Sequence, residues 1–373
     1  MHHPPLTRRQ WALAAFQGAA LVQLPGAAHA AGGQAHSPFT FPRDAGAHPE
    51  FQTEWWYVTG FANVQGQEAA LGFQITFFRR RLASTQAMTS SLAAKQLLFA
   101  HAAVSDVAGK TLWSDQRIAR WSGVPEGANA SDQGWARLTD TGVVLRDWSL
   151  QRTAQGALRA LVIAADFSLD LTFTDTQPVL LQGDQGHSRK GPDAAQFSNY
   201  YSRPQMQAQG EIRLKGKRHA LSEGSRAWLD QEWSDALLHP DAVGWDWIGI
   251  HLQDGGALTA FVLRRKDGSA LWSGGSLRQG GKLHIFGPGD VVFTPQRLWR
   301  SPRTQASYPV QWQVQVPGQV YRVRAAFEAQ ELDSRNSTGA VYWEGLCELL
   351  NAQQQRVGRG YLEMTGYAAP LKL

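Results

Sequence analysis

The sequence predicts an all-β protein, and three observations carry that reading. From Thr53 onward, apolar residues alternate with polar ones or gather in short runs. Gly, Asp and Pro turn signals separate those runs at short, regular intervals. Beyond residue 31, no segment keeps a 3.6-residue apolar period for more than about ten residues. Strands spaced in this way pair into antiparallel sandwiches or barrels. The chain has 373 residues, 43% hydrophobic and 18% charged, which is enough apolar mass for two cores and excludes long disorder.

The segment 1–30 reads as a signal peptide. Arg8-Arg9 precedes an apolar run from Trp11 to Leu24, which ends at Pro25, and Ala28-His29-Ala30 forms a small-x-small cleavage site. The arginine pair has the form of a twin-arginine export signal, with an ordinary Sec signal as the alternative. Either one makes the mature protein periplasmic or secreted. Residues 1–30 hold two arginines and no acid, so their removal lowers the net charge from +5 to +3. That charge, with Arg79-Arg80-Arg81 a short basic run read as a solvated strand end, argues against nucleic acid as a partner.

The strands follow in order. Trp55–Val64, a turn at Gln65-Gly66-Gln67, and Ala69–Phe78 predict a hairpin. The segment Leu92–Leu98 could form a short helix or lead into a strand through Phe99. Phe167, Leu169, Leu171 and Phe173 alternate with polar residues on one strand face. Residues 182–196 are polar and Gly-rich, a linker or a long loop over a barrel mouth. Ile248–Leu252 and Leu258–Leu263 form a second hairpin, and Val310–Val316 with Tyr321–Phe327 a third. A division near residue 225 gives domains 38–225 and 226–373. Each is long enough to close a barrel of about eight strands around a central cavity for one small apolar ligand.

Several chemistries are excluded. There is no GxSxG nucleophile elbow, no HExxH, no P-loop and no GxGxxG entering a helix. The histidines are scattered, so no metal site is expected, and no cofactor is called for. Cys347 stands alone in an apolar strand and is expected to be buried. His101, in the apolar run Leu97–Val104, is read first as a satisfied core or cavity histidine and second as a functional one.

Three acid–aromatic clusters stand out: Glu54-Trp55-Trp56-Tyr57, Trp228-Leu229-Asp230-Gln231-Glu232-Trp233 and Gly244-Trp245-Asp246-Trp247. On a strand, Trp228, Asp230 and Glu232 share one face. A carboxyl among tryptophans is desolvated, which favours its neutral form, and a neutral acid can donate a proton near pH 7. The surrounding ring faces would stabilise a developing cation. The competing reading is structural, with the acids capping backbone N–H groups at a barrel rim.

These clusters resemble the AttH-like/carotenoid 1,2-hydratase family, together with Phe41-Pro42-Arg43-Asp44, His48-Pro49, Lys190-Gly191-Pro192-Asp193, Tyr200-Tyr201-Ser202 and Gly360-Tyr361-Leu362-Glu363-Met364-Thr365-Gly366-Tyr367. The likeness runs in order over about residues 38–370, with Ala45 where another polar residue is common. It implies two tandem lipocalin-like β-barrels. Family members are often labelled secreted hydrolases, a label that the missing nucleophile and metal site disfavour here. For a hydratase, the resemblance implies cofactor-free protonation of an isoprenoid double bond, with Asp230 as acid, Glu232 as orienter or base and Asp246 as the alternative acid. Glu54, Trp55, Trp56, Tyr57, His101, Tyr201, Trp228, Trp233, Trp245 and Trp247 would bind the ligand. The first reading is an exported protein that binds a hydrophobic lipid or isoprenoid, as a carrier working with an inner-membrane ABC transporter; the hydratase is the alternative, and a purely structural envelope protein the third.

Overall fold

The computed structural model describes residues 38–124, 129–236 and 238–371; the signal peptide expected at 1–30 lies outside them. The described residues form two antiparallel sheets of 14 and 10 strands. The first runs from Thr111–Trp121 through Gln96–Asp106, Gln67–Arg81, Thr53–Val64, Arg226–Ser234 and Phe197–Leu214 to Phe167–Thr174, then through short strands to Gly134–Ala136. It curls until Thr111–Trp121 lies beside Gly134–Ala136 and Gly142–Leu145. The centre of the second sheet is Ala257–Arg265, Ala242–Leu252, Arg356–Met364 and Ala340–Leu350. This is the tandem lipocalin-like architecture expected from the sequence.

The turns explain the hairpins. Gln65 and Gly66 both adopt positive φ (50° and 80°), as do Lys215 and Gly216 (50° and 79°). Two consecutive positive-φ residues match the right-handed twist of the strands they join. The segment Leu92–Leu98 is a turn that enters the strand Gln96–Asp106, so the helical option falls away. Residues 182–196 are not a free linker: His187–Arg189 pairs back onto Phe197–Leu214.

Two expectations are corrected. The division near 225 moves forward, because Arg226–Ser234 pairs with both Thr53–Val64 and Phe197–Leu214 and belongs to the first sheet. The second sheet begins at Ala242. The cavity that gathers the expected site residues is also not at a barrel centre but between the sheets. Among the described residues, Trp56, Phe73, Phe77, Trp121 and Trp148 pack the first barrel core at 0% exposure, and Trp312, Trp343 and Leu362 pack the second.

A third apolar layer lies between the sheets and includes Tyr57, Phe61, Trp228, Trp247, Phe261, Leu346 and Tyr361. Both sheets supply it in the same way. In each, the first strand pairs with the last, Tyr57 lying opposite Asp230 and Trp247 opposite Glu363. These equivalent places meet across the seam: the Tyr57 and Trp247 rings are 5.4 Å apart at 87°, and those of Phe61 and His251 5.6 Å apart. Gly72 marks a close approach, since a Cβ there would sit 2.7 Å from Tyr361 Oη and 3.2 Å from Leu346 Cβ.

The tandem tryptophans provide a test. Trp56 is buried in the barrel core, whereas Trp55 faces the seam. Trp56→Ala should cost about 3–5 kcal/mol in chemical denaturation, and Trp55→Ala clearly less. Equal costs would refute the two-faced reading of this strand.

Candidate functional site

The seam opens into a cavity of about 390 Å³. Its apolar wall comes from Trp55, Phe78, Leu97, Phe99, Trp245 and Trp247, and its polar wall carries Tyr57, Tyr200, Asp230, Glu232, Tyr342, Glu344 and Glu363. A mostly apolar cavity with a few convergent polar groups is the usual form of a small-molecule site.

Alternation along Arg226–Ser234 places Trp228, Asp230 and Glu232 on the seam side and Ala227, Leu229 and Trp233 in the barrel core. Asp230 is 3% exposed. Its Oδ1 accepts from Ser202 Oγ at 2.5 Å and from the Trp228 indole N–H at 2.7 Å, and its Oδ2 accepts from the Tyr200 hydroxyl at 2.7 Å. Burial pushes its pKa up to about 7, against these three hydrogen bonds and with a smaller push from the Glu232 charge. Trp247 Nε1 donates to Tyr200 Oη at 3.3 Å, extending the chain to the second sheet.

Glu232 sits differently. Lys190 Nζ lies 2.9 Å from its Oε1, and the Ser198 hydroxyl donates to the same oxygen. Lys190 is itself buried, 4.3 Å from the Phe261 ring centroid and 4.9 Å from that of Tyr200. Two carboxyls on one strand face are thus differentiated by environment, one ion-paired and one held by neutral donors.

Glu54 touches the cavity but is fully engaged. It receives the His48 backbone N–H at 2.8 Å, Arg79 Nε at 2.9 Å and Gln231 Nε2 at 3.0 Å, and its Oε1 lies 2.8 Å from His48 Nδ1. Burial alone would raise its pKa, but the His48 and Arg79 charges hold it below the usual carboxylate range. His101 uses both ring nitrogens, at 2.8 Å from Tyr342 Oη and 2.8 Å from Ser337 Oγ. Burial lowers its pKa to about 3, so it is a neutral, satisfied cavity histidine.

Of the residues expected from sequence, Glu54, Trp55, Tyr57, His101, Asp230, Glu232, Trp245 and Trp247 therefore meet at one cavity. Trp56, Tyr201 and Trp233 do not, because their strand positions face the first barrel core. Trp228 lies beneath Asp230 as its donor. Asp246 faces the other side of its strand, 2.7 Å from Arg264 Nε and accepting from the Tyr367 hydroxyl at 3.0 Å. Burial lifts its pKa to about 6, against the Arg264 charge, but it does not line the cavity. Sequence reasoning missed Tyr200, Tyr342, Glu344 and Glu363 as site residues. The available signal was a carboxyl inside an otherwise apolar strand, as at Glu344. Among the described residues, no group of three His, Cys, Asp or Glu side chains has metal-holding geometry.

Comparison with known proteins adds three findings. The family described as AttH-like matches residues 33–367. A structure from Nitrosomonas europaea described as an AttH is 44% identical, over 89% of this chain and 98% of its own, with a TM-score of 0.79. Kievitone hydratase from Nectria haematococca shares the fold at 13% identity, over 90% of this chain and 94% of its own, with a TM-score of 0.65. Among curated proteins, no significant match is found.

The Asp230 site predicts a pH dependence of stability. The folded state binds this proton more tightly than the unfolded state, whose value is near 3.8. Asp230 therefore subtracts stability progressively as pH rises from about 4 to 7, where it must ionise in a dry site. Denaturation of the wild type and Asp230→Asn across that range should show the variant gaining on the wild type as pH rises. A constant difference between them would refute the buried, protonated acid.

Proposed function

The chain belongs to the AttH-like family, and from that premise we propose that it binds an apolar small molecule of lipid or isoprenoid type in the seam cavity and hydrates a double bond in it. The observation that carries this reading is Asp230, a buried carboxyl without a cation among its direct partners, whose pKa burial pushes up to about 7, on the polar wall of a mostly apolar cavity. With the leader read at residues 1–30, the protein would act in the periplasm or outside the cell.

The chemistry needs no cofactor. Asp230 passes its proton to one carbon of the double bond, and positive charge develops on the more substituted carbon. Trp55, Tyr57, Trp245 and Trp247 line the cavity and would stabilise that cation with their rings. Water then forms the C–O bond and loses a proton to a base. Lys190 and Ser198 hold Glu232 in place, so its part is to fix the charge beside Asp230, and the base lies elsewhere. Tyr200, Ser202 and Trp228 are positioning residues for the acid.

The volume restricts the ligand. About 390 Å³ is near the lower end of cavities that enclose a drug-sized molecule. A long polyene would therefore enter by one end only.

Native mass spectrometry of the mature protein, with lipid extraction, identifies what it holds. Incubation in 18O-labelled water then distinguishes catalyst from carrier. Label appearing in a new hydroxyl of the ligand is the expected result; a ligand released unchanged favours the carrier working with an ABC transporter. Asp230→Asn should lower turnover at least about 100-fold while uptake of a fluorescent polyene such as cis-parinaric acid is retained. Full turnover by that variant removes Asp230 from the mechanism.

A further inference from the structure

The seam holds a second set of carboxyls that protonation by Asp230 does not use. Glu344 and Glu363 are direct partners on adjacent strands, so their side chains leave the same face of the second sheet side by side, and both line the cavity. Among the described residues no ion pair reaches either one, and Lys190, on the facing wall, is committed to Glu232. The groups that face Glu344 are Tyr57, Tyr342 and Tyr361; those that face Glu363 are Asp230, Glu232 and the Trp245 indole. These are phenols, carboxyls and an indole, with no cation.

Glu344 is 3% exposed, and the groups against its carboxyl are the Tyr57 and Tyr342 hydroxyls, with no cation among them. A buried carboxyl served by neutral groups alone is costly to ionise and favours its protonated form. Two carboxyls side by side in a dry site cannot both ionise, and burial together with their mutual repulsion pushes both upward. Their place is equally telling. The last strand of each sheet supplies one seam carboxyl opposite an aromatic of the first strand, Asp230 opposite Tyr57 and Glu363 opposite Trp247. The two acids thus occupy equivalent positions on facing walls.

We propose that Glu344 and Glu363 share one proton and act as the base for the added water, while Asp230 on the opposite wall acts as the acid. This rests on the hydration reading above. The balance is complete within the site. The Asp230 O–H bond breaks and a C–H bond forms with the π electrons; water forms the C–O bond and its proton goes to the ionised member of the pair. The site then holds the same number of protons, displaced from one wall to the other, and exchange with solvent resets it. Glu363 would be the catalytic base and Glu344 its positioning partner.

Infrared titration of the full chain tests the pair without any ligand. At pH 7, Asp230→Asn should retain a carboxylic-acid C=O band, and adding Glu344→Gln and Glu363→Gln should remove it. If the combined variant misfolds, Glu363→Gln alone suffices: relieved of its neighbour's charge, Glu344 should titrate lower by about one pH unit or more. No band in Asp230→Asn, or no shift in Glu363→Gln, overturns the shared proton. With lycopene in micelles as the probe, Glu363→Gln should lower turnover at least about 100-fold and lose the acid limb of the pH–rate profile, whereas Asp230→Asn loses the alkaline limb. A Glu363→Gln enzyme with an unchanged profile overturns the base assignment. A wild type that hydrates no probe, beside an Asp230→Asn variant that keeps the band, overturns the hydration reading and leaves the shared proton standing.

Discussion

The strand Arg226–Ser234 has no solvent face. Every residue on it after Arg226 is buried, one set against the first barrel core and the alternate set against the second sheet. A strand buried on both sides can carry a carboxyl only if neutral donors, a cation or a proton satisfy it. That constraint organises the seam. Asp230 takes three neutral donors, and burial raises its pKa; Glu232 takes Lys190 and Ser198. Ser198, Tyr200 and Ser202 of Phe197–Leu214 serve these two groups, while Tyr201 turns to Gln231 on the barrel side, so the long strand that carries them is also two-sided.

The same residue type is put to opposite use a few ångströms away. Glu54, equally buried, closes the end of the first barrel in a knot with His48, Arg79 and Gln231. His48 in turn stacks on Trp233 at 3.7 Å and 7°. Every lone pair of that carboxylate has a committed partner, so the group contributes architecture. Asp230 is distinguished by the absence of a cation among its direct partners, which leaves its proton available for transfer. Burial supplies the cost in both places, and local charge decides whether the result is a fixed anion or an acid.

Much of this was legible in the sequence, and the part that was not has a definite cause. Alternating and clustered apolar runs revealed the strands, and period two placed Trp228, Asp230 and Glu232 on one face correctly. The same period should have divided Trp55 from Trp56, and Asp246 from Trp245 and Trp247, because adjacent residues on a strand point in opposite directions. Reading each cluster as a unit hid that division. Sequence spacing also could not tell which of two buried faces looks into a barrel and which into the seam, so the ligand was expected inside a barrel. Glu344 and Glu363 become a pair only through the register of Ala340–Leu350 against Arg356–Met364, which no local pattern encodes.

Because the cavity wall is divided between two sheets, an occupant is also a structural member of the protein. It touches both halves of the seam, and its binding free energy adds directly to the cohesion between them. A filled seam would then be the longer-lived form and an empty one the first to open. If the proposed ligand binds there, the steady-state amount of the protein would follow its supply, and abundance itself would act as a gauge without any dedicated regulator.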